Sequence, residues 1–152
     1  MQPGGWAVRR ARTEQMSSEF WEHCNTVEEC YEFMLAYAAQ GHSSEETDQP
    51  GRQIREFLQR AAKAIARLTQ ECSAAVQELG LQPADKYQSF IAVLDRDTRN
   101  SLAAIELVLA QPSIGSQLVD NLNASIHLRA LLTDLFLVGE ILRSRLMSRE
   151  LR

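Results

Sequence analysis

Apolar positions between Ile54 and Leu79 alternate by four and by three: Ile54, Leu58, Ala61, Ile65, Leu68, Cys72, Ala75, Leu79. That is a heptad seam held for more than three heptads. It predicts a helix from about Arg52 to Leu79, about 40 Å long, stopped by Gly80. A rod of this length needs a partner rod. Upstream, Phe20, Trp21, Val27, Tyr31, Met34, Leu35 and Ala38 mark the apolar side of a helix within residues 18–40. Thr26 and Glu29 have capping-box spacing. The helix proper is therefore expected to start there, after a short helical turn, "SSEFWEHCN", joined at Asn25. Gly41 suits the position just past its end. Residues 41–52 are polar and contain Pro50-Gly51, which reads as a loop.

The stretch Gly80-Leu81-Gln82-Pro83 breaks the chain, and Pro83 suits the first turn of a new helix. This third helix is expected to reach Gln111, where Pro112 ends it. Its stripe is Tyr87, Ile91, Leu94, Thr98, Leu102, Ile105 and Leu109. The stripe continues through six polar residues, Asp95 to Asn100, so one helix is predicted, not two. A fourth helix is expected from about Ser116 to Arg149. Leu118, Leu122, Ile126, Leu132, Leu135, Val138, Leu142 and Leu146 mark its core side, and Leu128, Leu131, Leu137 and Ile141 widen it. A helix this apolar is buried on more than one side. A second copy of the chain would supply that burial, with Leu128, Leu131, Leu132, Leu135, Val138 and Leu142 as the dimer interface. Gly139 lies on the same surface, where a missing Cβ lets helices approach closely. The fold expected is all-α. Hairpins of the last two helices, one from each chain, form a dimeric four-helix bundle with additional N-terminal helices. The second helix either packs along the hairpin or pairs with its own copy, and the break at 80–83 favours folding back. Residues 1–15 are expected to be a disordered tail, 16–82 an N-terminal helical segment and 83–152 the hairpin.

Composition narrows the chemistry. The chain has 152 residues, 45% hydrophobic and 24% charged, with only 7 Gly and 4 Pro. That suits one helical domain with a proper core. The net charge of −4 makes nucleic acid an unexpected partner, because phosphate binding needs a concentrated basic surface. Three cysteines, an odd number with no C-x-x-C, suggest neither a disulfide framework nor a zinc knuckle. A reducing cytoplasm is the expected location. No apolar run reaches bilayer length, and "MQPGGWAVRRARTEQ" has no hydrophobic stretch after its arginines, so a secretory signal is not expected. His23, Cys24, Cys30 and His42 lack the spacing of a metal set: His23 and Cys24 are sequence neighbours, and His42 is in a loop. Cys72 reads as a small core residue and His127 as a boundary residue. Neither a metal nor a cofactor is expected.

"FIAVLDRDTRNSLAAI", Phe90 to Ile105, resembles the H-box of histidine kinases, approximately F-L-A-x-x-S-H-[DE]-L-R-[NT]-P-L-x-x-I. Phe90, Ala92, Asp97, Arg99, Asn100, Leu102 and Ile105 fit. "LRALLTDLF", Leu128 to Phe136, is similar to the cadence of the second helix of that family's dimerisation and histidine-phosphotransfer domain. The resemblance covers roughly residues 84–149. The phosphoaccepting histidine falls on Arg96, whose guanidinium stays protonated and offers only donors. Asp95, Thr98 and Ser101 replace the family's serine, leucine and proline. No glycine-rich phosphate loop occurs, and these 152 residues leave no room for an ATP-binding domain, so a working kinase is not expected. The resemblance implies a surface where a response-regulator receiver domain or sensor kinase docks, on Leu94, Asp95, Arg96, Asp97, Arg99 and Asn100. The leading expectation is a non-kinase signalling adaptor, a pseudo-histidine kinase in form, acting as a homodimer. The alternatives are a structural homodimeric bundle, on which "DRDTRN" is a solvated face, and a receiver phosphatase using Asp97 and Asn100, with the amide orienting a water.

Overall fold

The computed structural model of the chain describes residues 5–43 and 49–151. Every regular element among them is a helix: α1 Gly5–Gln40, α2 Gln49–Leu79, α3 Ala84–Leu109, α4 Ser116–Ala124 and α5 Ile126–Glu150. No strand occurs among the described residues. None of these helices is long and apolar enough to cross a membrane.

The helices pack in a ring. α1 lies on α2, α2 on α3, α3 on α5, and α1 again on α4 and α5. Contacts along each seam give the directions. Phe33 stacks on Phe57 at 4.2 Å near one end of α1 and α2, while His23 meets Glu71 towards the other. Thr69 meets Thr98, and Arg55 reaches the carbonyls of Leu109 and Gln111. Ser101 meets the carbonyl of His127. Tyr37 meets Ile114, and Trp21 lies against Gly139. Neighbouring rods are therefore antiparallel throughout, and α4 followed by α5 makes the fourth rod. One chain supplies the four rods that the sequence reading divided between two copies. The second helix folds back along the third, as the break at 80–83 favours.

Each rod contributes a seam at coiled-coil spacing. In α1 it is Phe20, Cys24, Val27, Cys30, Met34 and Tyr37; in α2 it runs from Ile54 to Ala75 on the heptad positions already noted. α3 buries Leu94, Thr98, Ser101, Ile105 and Val108. α5 buries Leu128, Leu131, Leu132, Leu135, Val138 and Leu142. These six are the residues expected at a dimer interface. They are inside the chain's own bundle, so a second copy would meet other side chains.

Several boundaries differ from expectation. Residues 5–15, expected to be disordered, continue α1, and their Ala, Arg, Glu and Gln are good helix formers; residues 1–4 lie outside the described residues. No break occurs at Asn25. The Thr26 hydroxyl donates back to the carbonyl of Glu22 at 3.0 Å, an interior helix bond, not a cap. The expected loop 41–52 is shorter, because Gln49 to Arg52 belong to α2; residues 44–48 lie outside the described residues. Leu35 is exposed, as the α1 seam runs through Met34 instead. The fourth rod, expected as one helix, breaks at Ser125, which has an extended backbone, φ −63° and ψ 136°. Gly41 and Gly80 do end α1 and α2, at φ 70° and 60°. At Gly80 the N–H groups of Gly80 and Leu81 bond back to the carbonyls of Gln77 and Val76, a Schellman closure.

Candidate functional site

The six-residue polar patch is one continuous stretch of α3, and its residues divide by direction. Thr98 and Ser101 point inward. The Thr98 hydroxyl donates to the carbonyl of Asp95 at 2.8 Å. The Thr69 hydroxyl of α2 meets it at 3.2 Å. Ser101, fully buried, donates to the His127 carbonyl in the first turn of α5 at 3.0 Å. The two positions where the sequence departs from the H-box pattern by turning polar are thus the ones that tie α3 to α2 and to α5.

Arg96, Arg99 and Asn100 point outward and are exposed. Arg99 Nε pairs with Asp95 Oδ2 at 3.0 Å, one helical turn away. Both groups are well hydrated, so the pair contributes only about 0.3–0.5 kcal/mol. Leu94, expected to take part in docking, is fully buried and cannot touch a partner.

Asp97 is half-buried and faces α5, where it meets Asp134. Asp134 is 8% exposed. Burial first, then the hydrogen bond with Asp97 and the charge of Asp97, push its carboxyl up to about 7. Asp134 Oδ2 has no hydrogen-bond partner among the described residues. As a neutral acid, Asp134 can give its proton to Asp97 and leave only a carbonyl-like oxygen unpaired. As a carboxylate it would be a desolvated charge beside another charge. Asp134 was not singled out from the sequence. The only signal was its place in the Leu128–Phe136 cadence, as a lone acid within a run of leucines.

Helical spacing extends this site along the seam. Val93 lies one turn before Asp97, and Leu137 and Ile141 follow Asp134 at i+3 and i+7, so each set shares an edge of its helix. All three are exposed. The seam between α3 and α5 therefore presents apolar side chains beside the carboxyl pair and the outward Arg96 and Asn100.

Elsewhere, polar groups hold the bundle together. At the α1–α4 end the Ser116 hydroxyl donates to the Tyr37 carbonyl at 2.6 Å and accepts from the His42 amide at 2.7 Å. Tyr37 donates to the Ile114 carbonyl at 2.6 Å. The His42 ring lies tilted against Tyr37, centroids 4.8 Å apart, and sits 2.8 Å from the side chain of Gln40. His23 Nδ1 lies 2.7 and 2.9 Å from the two oxygens of buried Glu71. Cys24, Cys30 and Cys72 are free and buried, and burial pushes each thiol up to about 12. They are packing residues held as thiols. His127 is exposed at the start of α5. An open cleft of about 340 Å³ lies between α1 and the end of α5, lined by Trp21, Asn25, Arg143, Leu146, Met147 and Glu150. The Arg143 guanidinium covers the Trp21 ring at 5.2 Å there.

No family model matches this chain, nor does a curated protein or a solved structure.

Proposed function

We propose that the protein is a non-kinase signalling adaptor of the cytoplasm, whose α3–α5 face binds a response-regulator receiver domain or a sensor kinase. The observation that carries this reading is the outward projection of Arg96, Arg99 and Asn100 from an uninterrupted α3, beside exposed Val93, Leu137 and Ile141. Fixed guanidinium groups suit a carboxylate or phosphoryl-bearing surface, and the apolar neighbours suit the core of a docking patch. Leu94 leaves the docking set, and the outward members remain. The phosphatase alternative draws less support, because Asp97 is engaged by Asp134. A second copy of the chain is the other partner in this reading. It would use the exposed Phe136, Leu137 and Ile141, since the six leucine and valine positions named for the interface are already covered.

The test is calorimetric titration of the purified chain against receiver domains from the same cell. Binding tighter than about 100 μM, weakened at least about tenfold by Arg96→Ala with Asn100→Ala and with melting unchanged, supports the adaptor. If no receiver or kinase binds, the bundle is structural and the adaptor reading is abandoned.

A further inference from the structure

Asp134 is the buried charge-capable group that the docking reading leaves unused. It sits on the α5 face turned to α3, beside Asp97, 8% exposed and with one oxygen left unpartnered. Among the described residues no cation forms an ion pair with it. From α3 comes Asp97, while Arg99 is held by Asp95 and Arg96 is directed outward. From α1, Trp21 lies against α5 at Gly139, His23 is turned to Glu71 of α2, and the field of Glu28 falls on Cys24. α4 carries one charged residue, Asp120, and it is exposed. On α5 itself, Arg129, Glu140 and Arg143 are exposed. Two facing carboxyls in such a place hold one proton between them comfortably and none at all only under repulsion.

We propose that the seam between α3 and α5 is latched by a single proton shared by Asp97 and Asp134, and that loss of this proton to solvent base loosens α5 from α3. The device is a pH-sensitive closure built into the fold, and it does not depend on what docks outside. The sign follows from linkage. Asp134 holds its proton more tightly in the folded chain than in the unfolded one, where an aspartate titrates near 4. The folded state therefore binds more protons between about pH 4 and 7, and stability falls as pH rises through that window. Below it the latch is fully closed; above it the latch contributes nothing. Hydrogen exchange reads the same change locally. Opening of the α5 backbone around residues 130–141 becomes roughly tenfold easier for each pH unit inside the window.

The experiment compares the full chain with Asp134→Asn, a neutral isostere that still donates to Asp97. Urea unfolding and amide exchange are followed between about pH 5 and 8. The wild-type midpoint should fall with rising pH relative to the variant, and exchange at 130–141 should accelerate in the wild type alone. Carbon NMR of the Asp134 carboxyl gives an independent reading. Titration near neutrality is expected, moving to lower pH in Asp97→Asn as the neighbouring charge is removed. An Asp134 carboxyl that titrates below about pH 5, or identical pH profiles for wild type and Asp134→Asn, overturns the proposal.

Discussion

At Gly139 an added Cβ would lie 3.1 Å from Trp21 Cζ3 and 3.3 Å from Cη2. The indole of α1 rests directly on the α5 backbone there, so the missing side chain is what lets the two rods meet. Alanine at 139 would gain about 1 kcal/mol of helix propensity and lose a comparable amount to the tight contact. It should come out within about 1 kcal/mol of neutral. Leucine has no such compensation. Gly139→Leu should destabilise by about 1–3 kcal/mol in urea unfolding, and combining it with Trp21→Ala should recover part of that loss. Purely additive losses in the double variant would show that the indole is not the obstacle. Gly139 was legible in the sequence as a place for close approach. Trp21 as its partner was not, because 118 positions separate the two and no local pattern links them. The same holds for Asp97 with Asp134. Asp97 stands out on a polar face, but only packing reveals that a buried acid from another rod is pressed against it.

Along single helices, periodicity served well where the rod was uninterrupted. The α2 seam from Ile54 to Ala75 is buried at each heptad position. α3 passes unbroken through its polar patch, because Thr98 and Ser101 find partners and the others face water. The fourth rod shows the limit. Leu118, Leu122 and Ile126 follow one phase; Leu128, Leu131, Leu135, Val138 and Leu142 follow another, about two residues later. A straight helix cannot bury both sets. The chain breaks at Ser125, and Ile126 is left 74% exposed. The shift was present in the sequence, but it read as a wider apolar face. Thr26 misled for a related reason: a hydroxyl that caps a helix start can equally bond back to a carbonyl inside one. Helix ends marked by glycine were more dependable. Gly80 sits at φ 60° with open space around its Cα, so a Cβ would meet no neighbour but would strain the backbone. Gly80→Ala should therefore lower stability by about 1 kcal/mol in urea unfolding, and Gly80→Asn by less.

For the whole molecule, the decisive matter is which apolar surface the chain covers by itself. Leu131 is fully buried between the rods, whereas Leu137, two turns further on, is 54% exposed. Leu131→Glu should remove cooperative unfolding or cost more than about 3 kcal/mol. Leu137→Glu should leave the far-ultraviolet circular dichroism and the melting temperature nearly unchanged, and should abolish self-association if the exposed α5 ridge carries it. Sedimentation of both variants checks this. Loss of fold on Leu137→Glu alone would contradict the ring of four rods. The sequence by itself determined that the chain is helical and where its second and third rods run, because these rest on spacing within about 30 residues; the break at Gly80–Pro83 favoured folding back but left pairing with a second copy open. Tertiary structure alone decided that the leucines of α5 are covered by the chain's own rods, that the fourth rod changes phase at Ser125, and that Asp97 meets Asp134. Hydrophobic burial is non-directional: a stripe of leucines shows that something must cover it, and only the packed geometry shows what does.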